Sequence, residues 1–419
     1  MRIAIVVQRY GPDVLGGSEA LARVYAHALA HDADVEVLTT CARDHVTWRN
    51  WFPAGTSRDG PVLVHRFRVS EERGPRWAEL HGHVFGPVDL MQFARCPHYK
   101  RQLVDRLAQA PRSVQEELIR AQGPWPPDLL KFLGQHRHRF DVFLFCTYLY
   151  PTTCFGIRQV PAERTVLCPT LHDEPEAHLP LVGDVFAHVK HAIFLTEAER
   201  CLAREMHAYR GAGWVVGMGI PEPPPAGPPP AATPDVFVLY AGRIEPAKGL
   251  PELLDQFLAF KRRHPSSLRL VLIGKGPLPL PRHPDVVYLG FVSEPVKCAL
   301  MARARALLHP SPFESFSIVL LESLRVGTPV LVNGHSAAMV EHCRASRAGL
   351  YYTRPEEFDA HLRRLINDEA WRQRLGQRGR EYVLRNFHPD HIAQRLWRVV
   401  EAVSAWKGSR PRRRAAVAW

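Results

Sequence analysis

The chain opens with an apolar run that predicts a buried strand. Residues 3–7 read Ile-Ala-Ile-Val-Val, which is typical of a parallel strand covered on both faces. A loop containing Gly16 and Gly17 follows, and residues 18–30 then carry leucine, valine and alanine at helical spacing. A second apolar run covers 35–40. The order of strand, glycine loop, helix and strand predicts a doubly wound α/β unit.

The alternation of strands and helices continues less regularly through the rest of the first half, which ends at 215–220. We predict strands at 61–69, 141–150, 164–169 and 191–196, and helices at 110–135 and 197–209. The second half restarts the same pattern. There we predict strands at 236–240, 268–273, 286–289, 306–309 and 329–333, and helices at 251–264, 294–305, 316–325 and 358–406. Two successive α/β units predict two doubly wound domains that face a cleft.

A proline-rich segment separates the two halves. Residues 221–234 contain eight prolines in fourteen positions. Proline lacks a backbone donor and restricts the residue before it, so we interpret this segment as an extended linker; the alternative is a surface loop insertion. The predicted organisation is a first α/β domain, a linker, a second α/β domain and a terminal helix with a basic tail, at 1–216, 217–235, 236–390 and 391–419.

Composition narrows the class of protein. The 419 residues hold 46% hydrophobic and 23% charged residues, enough apolar material for two cores. The net charge of +12 favours an anionic partner such as a phosphate ligand. No apolar run approaches the ~18 residues that span a bilayer, and the first residues lack a signal-peptide core. The eight cysteines show no Cys-x-x-Cys pair. We therefore expect reduced cysteines that lie in the core, and a cytoplasmic protein.

A basic segment, 407–414, lies near the chain end. It predicts peripheral contact with an anionic membrane, although a solvated chain end is the simpler interpretation. Aromatic and basic residues are not interleaved as in nucleic-acid-binding proteins, so we expect no nucleic-acid partner. The chain also lacks Gly-x-Gly-x-x-Gly after its first strand, a P-loop and His-Glu-x-x-His, which disfavours dehydrogenases, P-loop enzymes and zinc proteases.

Two cations follow the first strand of the second half. Arg243 comes directly after that strand, and Lys248 lies five residues later, before a helix. The carboxyl edge of a parallel sheet beside a helix N-terminus binds phosphate in doubly wound folds. Two fixed cations there suit a diphosphate whose negative charge grows as it departs. The alternative is a solvated charged loop.

Two further groups of polar residues lie near predicted strand ends. Glu314 and Glu322 are eight residues apart, and Ser315 or Ser317 is placed to cap the helix that carries Glu322. A glutamate among apolar neighbours needs a hydrogen-bond donor, such as a ribose hydroxyl; the alternative is a surface glutamate. His172 precedes two carboxylates after the predicted strand 164–169, which favours acid–base or metal chemistry, or else a structural histidine.

Taken together, these motifs resemble the retaining GT-B glycosyltransferases with an E-x7-E motif, a family that includes bacterial mannosyl- and glucosyltransferases. The resemblance rests on features along nearly the whole chain. These are Gly16-Gly17, Gly242-Arg243 with Lys248-Gly249, Gly274-Lys275-Gly276-Pro277, and Glu314 with Glu322. One departure concerns the family's Gly-Gly-x-x-Glu stretch, which is replaced here by a run from Asn333 to Glu341 in which His335 takes the place of a glycine.

The resemblance implies that 1–216 binds the acceptor, that 236–390 binds the nucleotide sugar and that the helix of 391–419 packs back on the first domain. It also implies a role for each matching residue. Arg243 and Lys248 would hold the diphosphate, and Glu314 and His172 would contact the transferred sugar. Glu322 would bind the ribose. The segment around Phe291 and Val292 would lie near the base. The remaining donor contacts would come from Gly16, Gly17, Phe316, Ser317 and Ile318.

The resemblance also implies transfer of a hexose, with retention of configuration, from a UDP- or GDP-linked sugar to a saccharide, lipid-linked or small-molecule acceptor. No metal or other cofactor would be needed. The alternatives are a nucleotide-sugar epimerase or a phosphorylase of similar architecture, and a non-catalytic protein that binds nucleotide sugars. The chain keeps Arg243, Lys248, Glu314 and Glu322, which disfavours a non-catalytic protein with a decayed site. An epimerase would convert the donor without an acceptor.

Overall fold

The computed structural model describes residues 1–405, so the basic segment 407–414 lies outside the described residues. The first half forms one eight-stranded sheet in the order β3-β4-β2-β1-β5-β6-β7-β8. Its strands are β1 Arg2–Val7, β2 Asp34–Thr40, β3 Gly55–Asp59, β4 Val62–Phe67, β5 Val142–Cys146, β6 Thr165–Cys168, β7 His191–Phe194 and β8 Ala212–Val215. All neighbouring strands are parallel except β3 and β4.

Nine helices of the first half cover this sheet. They are α1 Gly17–Leu29, α2 Pro75–Phe85, α3 Leu90–Arg95, α4 Pro97–Ala108, α5 Arg112–Gln122, α6 Pro127–His136, α7 Pro151–Cys154, α8 Pro180–His188 and α9 Glu197–His207. Short 3-10 turns lie at Ile157–Gln159, Ala162–Arg164 and Pro175–His178. The central strands are buried along almost their whole length, as the apolar runs predict.

The second half forms a separate six-stranded parallel sheet in the order β11-β10-β9-β12-β13-β14. Its strands are β9 Phe237–Ala241, β10 Arg269–Ile273, β11 Val286–Tyr288, β12 Leu307–His309, β13 Val330–Asn333 and β14 Gly349–Tyr352. Its helices are α10 Leu250–Arg263, α11 Glu294–Arg303, α12 Ile318–Arg325, α13 Ala337–Ser346, α14 Pro355–Asn367, α15 Glu369–Asn386 and α16 Pro389–Ser404. A 3-10 turn, Pro246–Lys248, precedes α10. The prediction of two doubly wound α/β units is therefore confirmed.

The segment between the two sheets has no helix or strand from β8 to β9. It is nevertheless tied to the second half, since the Gly227 amide donates to the Pro295 carbonyl at 3.0 Å. At the other end of the chain, α16 returns to the first half and packs on α1. Its buried face carries Ile392, Leu396, Val399, Val400 and Val403.

Several elements differ from the sequence-based expectation. Strand β3 was not predicted because its residues are exposed and polar, so they show no hydrophobic alternation. Helices α2, α3 and α4 were also missed, and strand β5 ends four residues before its predicted limit. The predicted helix 358–406 is three helices, because Asp368 caps α15 through the Trp371 amide and Pro389 starts α16.

The described cysteines are all unpaired, as expected for reduced residues. Five are buried, but Cys201 is exposed on α9, so the interpretation of the cysteines as core residues holds only in part.

Candidate functional site

The centre of the cleft is an ion pair between Lys248 and Glu314. The Lys248 Nζ atom lies 2.7 Å from Glu314 Oε1, and the Glu314 side chain is only 16% exposed. Burial raises the pKa of Glu314, but Lys248, His309 and His172 together outweigh it and bring the pKa to about 2. Glu314 is therefore ionised at neutral pH.

His172 approaches this pair from the first half. It follows β6, and its ring lies 6.2 Å from the ring of Phe313, which directly precedes Glu314. Burial lowers the pKa of His172 to about 4, opposed mainly by the charge of Glu314. The imidazole is thus neutral at pH 7. The structure thus brings His172, Lys248 and Glu314 together from both halves of the chain.

Arg243 lies at the same sheet edge but in a more open position. Its side chain is 52% exposed and pairs with Glu245 at 2.9 Å. Its backbone carbonyl accepts the Tyr240 hydroxyl at 2.6 Å, which fixes the turn after β9. Arg243 and Lys248 both lower the pKa of Glu174, a carboxyl of the first half. The two cations therefore act on the opposite wall of the cleft.

A buried ion pair between Arg9 and Glu19 supports the loop that contains Gly16 and Gly17. Arg9 and Glu19 lie 2.5 Å apart and are almost fully buried, and Arg9 also donates to the Leu15 carbonyl at 3.2 Å. Gly16 has a φ of +158°, and a Cβ atom there would lie 2.1 Å from the Glu19 carboxylate. A Cβ on Gly17 would lie 4.0 Å from Ile318. The loop thus meets the first residue of α12.

The N-terminus of α12 differs from the expected cap. Ser317 occupies the N-cap position with a φ of +62°, but its side chain makes no capping hydrogen bond. The cap predicted for Ser315 or Ser317 is therefore wrong; the Leu320 amide instead bonds the Ser317 backbone carbonyl at 3.2 Å. Phe316 is buried beside His342 and Phe387. The Phe316 side chain is therefore not available to a ligand. The first backbone amides of α12 have no acceptor within the helix.

Glu322 has a partner that the sequence did not reveal. Both of its carboxylate oxygens accept hydrogen bonds from Lys297 Nζ, at 3.0 and 2.9 Å. Burial raises the pKa of Glu322, and Lys297 opposes this rise. The donor that burial of Glu322 requires is therefore supplied by α11 before any ribose is bound.

The predicted base-binding segment is open to solvent. Phe291 is 52% exposed, and Val292 beside it is partly buried against the core. The Lys275 ammonium lies 4.8 Å from the centre of the Phe291 ring. Gly274 lets this loop approach the turn that follows β9, because a Cβ atom would lie 1.8 Å from the Gly242 carbonyl oxygen.

The run that replaces the Gly-Gly-x-x-Glu stretch bridges the two halves. The His335 amide donates to the Asn333 side chain at 3.0 Å, which closes the turn after β13. Glu341, one turn into α13, accepts the backbone amides of Glu197 and Ala198 at 3.1 and 2.6 Å. These two amides form the N-terminus of α9 in the first half. Glu341 therefore joins α13 to α9 across the cleft.

The loop that carries His172 is fixed by groups that lie far away in sequence. Glu199 accepts the Leu171 amide at 2.7 Å and the Leu195 amide at 2.6 Å. Tyr148 donates its hydroxyl to Glu174, and Lys100 pairs with Asp173. Sequence reasoning identified the His172 segment but missed Tyr148, Lys100 and Glu199, which no local spacing connects to it.

The described residues form neither a cluster of metal ligands nor a membrane-spanning helix. Within residues 1–405, no three His, Cys, Asp or Glu side chains group as metal ligands. None of the helices in this described part of the chain is long and apolar enough to cross a membrane.

The second half of the chain is similar to known glycosyltransferase sequences. Residues 235–368 match the family model described as Glycosyl transferases group 1. An uncharacterised glycosyltransferase of Methanocaldococcus jannaschii is 27% identical over 169 residues, which cover 38% of this chain and 43% of the relative. A GDP-mannose-dependent alpha-(1-6)-phosphatidylinositol dimannoside mannosyltransferase of Mycobacterium tuberculosis is 31% identical over 158 residues, or 36% and 41% of the two chains. The matched region spans less than half the length of these relatives.

Solved structures resemble nearly the whole chain. A sucrose-phosphate synthase of Thermosynechococcus elongatus has a TM-score of 0.67 at 16% identity, covering 96% of this chain and 98% of its own. Anabaena HepE in complex with UDP and glucose has a TM-score of 0.65 at 15% identity, covering 96% of this chain and 100% of its own. Residues 235–368 therefore match the model of group 1 glycosyltransferases, and the whole chain has the GT-B fold. The resemblance recognised in the sequence is confirmed.

Proposed function

We propose that this chain is a retaining glycosyltransferase that moves a hexose from a nucleotide-diphosphate sugar to an acceptor. The observation that carries the proposal is the convergence of Lys248, Glu314 and His172 from both sheets at the carboxyl edge of β9. The group 1 match over residues 235–368 and the relatives named above support the same activity.

The donor would bind mainly to the second half. An ammonium group has three donors, so Lys248 keeps two for phosphate oxygens while it holds Glu314. Because Arg243 lies in an open position, its side chain can turn toward the diphosphate. The amides at Ile318 add a helix N-terminus beside Gly17. These groups would stabilise the charge that grows on the departing diphosphate without a metal ion.

The sugar and ribose would lie on either side of this diphosphate. Glu314 and neutral His172 would contact the transferred hexose, and Glu322 would accept ribose hydroxyls while Lys297 balances its charge. Val292 would lie beside the base. The acceptor would enter against the first half, near Glu174. We infer departure and attack on the same face of the sugar, which retains the anomeric configuration. Saccharides, lipid-linked saccharides and small molecules are the candidate acceptors.

A transfer assay tests this proposal. The protein is incubated with UDP- and GDP-linked hexoses and a panel of acceptors, and proton NMR identifies the anomeric configuration of the product. We expect a product with the configuration of the donor, formed equally well in EDTA. An inverted product would contradict retention, and loss of activity in EDTA that a divalent ion restores would contradict metal independence. Conversion of the donor sugar without an acceptor would instead identify an epimerase.

Membrane association is a separate part of the proposal. The basic segment 407–414 would aid docking to anionic lipid, which suits a lipid-linked acceptor at the inner face of a membrane. Co-sedimentation with phosphatidylserine vesicles should fall when the chain is shortened to end at Trp406. Unchanged co-sedimentation of the shortened chain would remove this part.

A further inference from the structure

The carboxyl group of Glu174 lies between two groups of the cleft wall. Tyr148 donates its hydroxyl to one oxygen, Oε1. The other oxygen, Oε2, lies 3.4 Å from His172 Nδ1. That nitrogen is shielded from solvent and makes no hydrogen bond in this structure, so Oε2 is its nearest carboxylate oxygen without being aligned to bond it. Hydrogen bonds between groups of an active site are often long or poorly aligned before the reactants bind, and they tighten in the complex.

We propose that Glu174 is a positioning residue that fixes the orientation and tautomer of His172. A neutral imidazole has one donor and one acceptor nitrogen, and the partner of one nitrogen decides the state of the other. With Nδ1 engaged by Glu174, Nε2 is the ring nitrogen available to the transferred sugar. The role in transfer rests on the proposed function, whereas the tautomer is a property of the free protein.

The proton on Glu174 determines which tautomer forms. Burial and the neighbouring carboxylate of Glu176 raise the pKa of Glu174 to about 8, against the Tyr148 hydroxyl and the cations Lys248 and Arg243. Below that pH the protonated carboxyl donates to Nδ1, and Nε2 keeps its hydrogen as a donor to a sugar hydroxyl. Above it the carboxylate requires a hydrogen on Nδ1, and Nε2 becomes an acceptor. The switch moves one proton and leaves the imidazole neutral.

Two substitutions separate this role from simple packing. Glu174→Gln presents an amide that can donate to Nδ1 and accept from Tyr148 at every pH, so it imitates the protonated carboxyl. Tyr148→Phe removes a donor to the carboxylate, which should raise the pH at which Glu174 ionises. Glu117→Gln is a matched control, because Glu117 lies on the exposed side of the first half and pairs with Arg76.

The test uses the full-length protein with 15N-labelled histidine, in which His172→Asn assigns the His172 signals. NMR of the wild-type protein should show His172 with hydrogen on Nε2 at pH 7 and a change to Nδ1 with a midpoint near pH 8. We expect Glu174→Gln to abolish this change, Tyr148→Phe to move it to higher pH, and Glu117→Gln to leave it in place. A wild-type His172 with a constant tautomer from pH 6 to 9.5, or the same change in Glu174→Gln, would overturn the proposal.

Activity supplies a second, independent readout. If transfer occurs, wild-type kcat should fall above pH 8, whereas Glu174→Gln should keep its neutral-pH kcat within about twofold up to pH 9.5. A Glu174→Gln profile that overlays the wild-type decline would also overturn the proposal. Absence of transfer in every protein would refute the proposed function alone, since the NMR titration needs no substrate.

Discussion

The carboxylate of Glu341 on α13 accepts the backbone amide of Ala198 on α9 at 2.6 Å, although the two helices belong to different halves of the molecule. The N-terminus of α9 carries a partial positive charge, which favours an anion at this position. A capping carboxylate usually comes from the helix itself or the residue before it. Here it comes from the other half of the molecule, so the cap also holds the two halves together.

Removing this contact should loosen the cleft. Glu341→Ala leaves two amides of α9 without their acceptor, and loss of a capping side chain costs about 0.5–2 kcal/mol. We expect a lower thermal midpoint and a larger radius of gyration by small-angle X-ray scattering. Glu381→Ala, which removes an exposed helix glutamate, should change neither. An unchanged radius of gyration in Glu341→Ala would show that this cap does not hold the halves together.

The ion pair between Lys297 and Glu322 should contribute a coupling free energy to the stability of the folded protein. Lys297→Met leaves a buried carboxylate without its donor, and we expect a loss of about 1–3 kcal/mol in the free energy of unfolding. Adding Glu322→Gln to Lys297→Met should recover most of this loss, because the unpaired charge is then gone. Chemical denaturation of the two single variants and the double variant measures the coupling. Additive losses would contradict a direct pairing.

Four histidines should make the protein less stable as the pH falls from 6.5 to 4, although the raised pKa values of Glu174 and Glu199 act in the opposite direction. Burial lowers the pKa values of His172, His309, His342 and His207 to about 4. At these positions the unfolded chain, in which histidine titrates near 6.5, then binds more protons than the folded one between pH 6.5 and 4. The stability contributed by these neutral histidines is full above pH 6.5 and is lost as the pH falls through 4.

His207 allows this pH dependence to be tested away from the cleft. Its ring stacks on Phe186 with centroids 4.5 Å apart, an arrangement that His207→Phe can keep. We expect this variant to lose less stability than the wild-type protein between pH 7 and 5, by an amount on the order of 1 kcal/mol. Urea unfolding at the two pH values measures the difference. Equal losses would contradict a neutral buried His207.

The sequence was informative where chemistry or packing imposes a local pattern. The buried strands β1 and β9 were predicted because both of their faces are apolar, and Glu314 stood out through its spacing from Glu322. By contrast, β3 was missed because it is a polar strand at the edge of its sheet and shows no apolar pattern.

Most of the site's internal partners were not predictable. Lys297 lies 25 residues before Glu322, and Glu341 lies more than 140 residues after the α9 amides that it caps. Only the packing of α11 on α12, and of α13 on α9, brings these groups together. The expected serine cap of α12 failed for a related reason. The backbone at Ser317 adopts a left-handed conformation, unlike the extended backbone of an ordinary N-cap, and its side chain makes no hydrogen bond to the helix amides.

Calorimetric titration of UDP and GDP into the protein tests the central claim most directly. We expect one of the two nucleotides to bind the wild-type protein in EDTA, and Lys248→Ala and Glu322→Ala each to weaken that binding by about tenfold or more, or ~1.4 kcal/mol. Lys131→Ala, which changes an exposed lysine of α6, should bind as the wild-type protein does. Unchanged affinity in both Lys248→Ala and Glu322→Ala would contradict the assignment of this cleft as the nucleotide-sugar site.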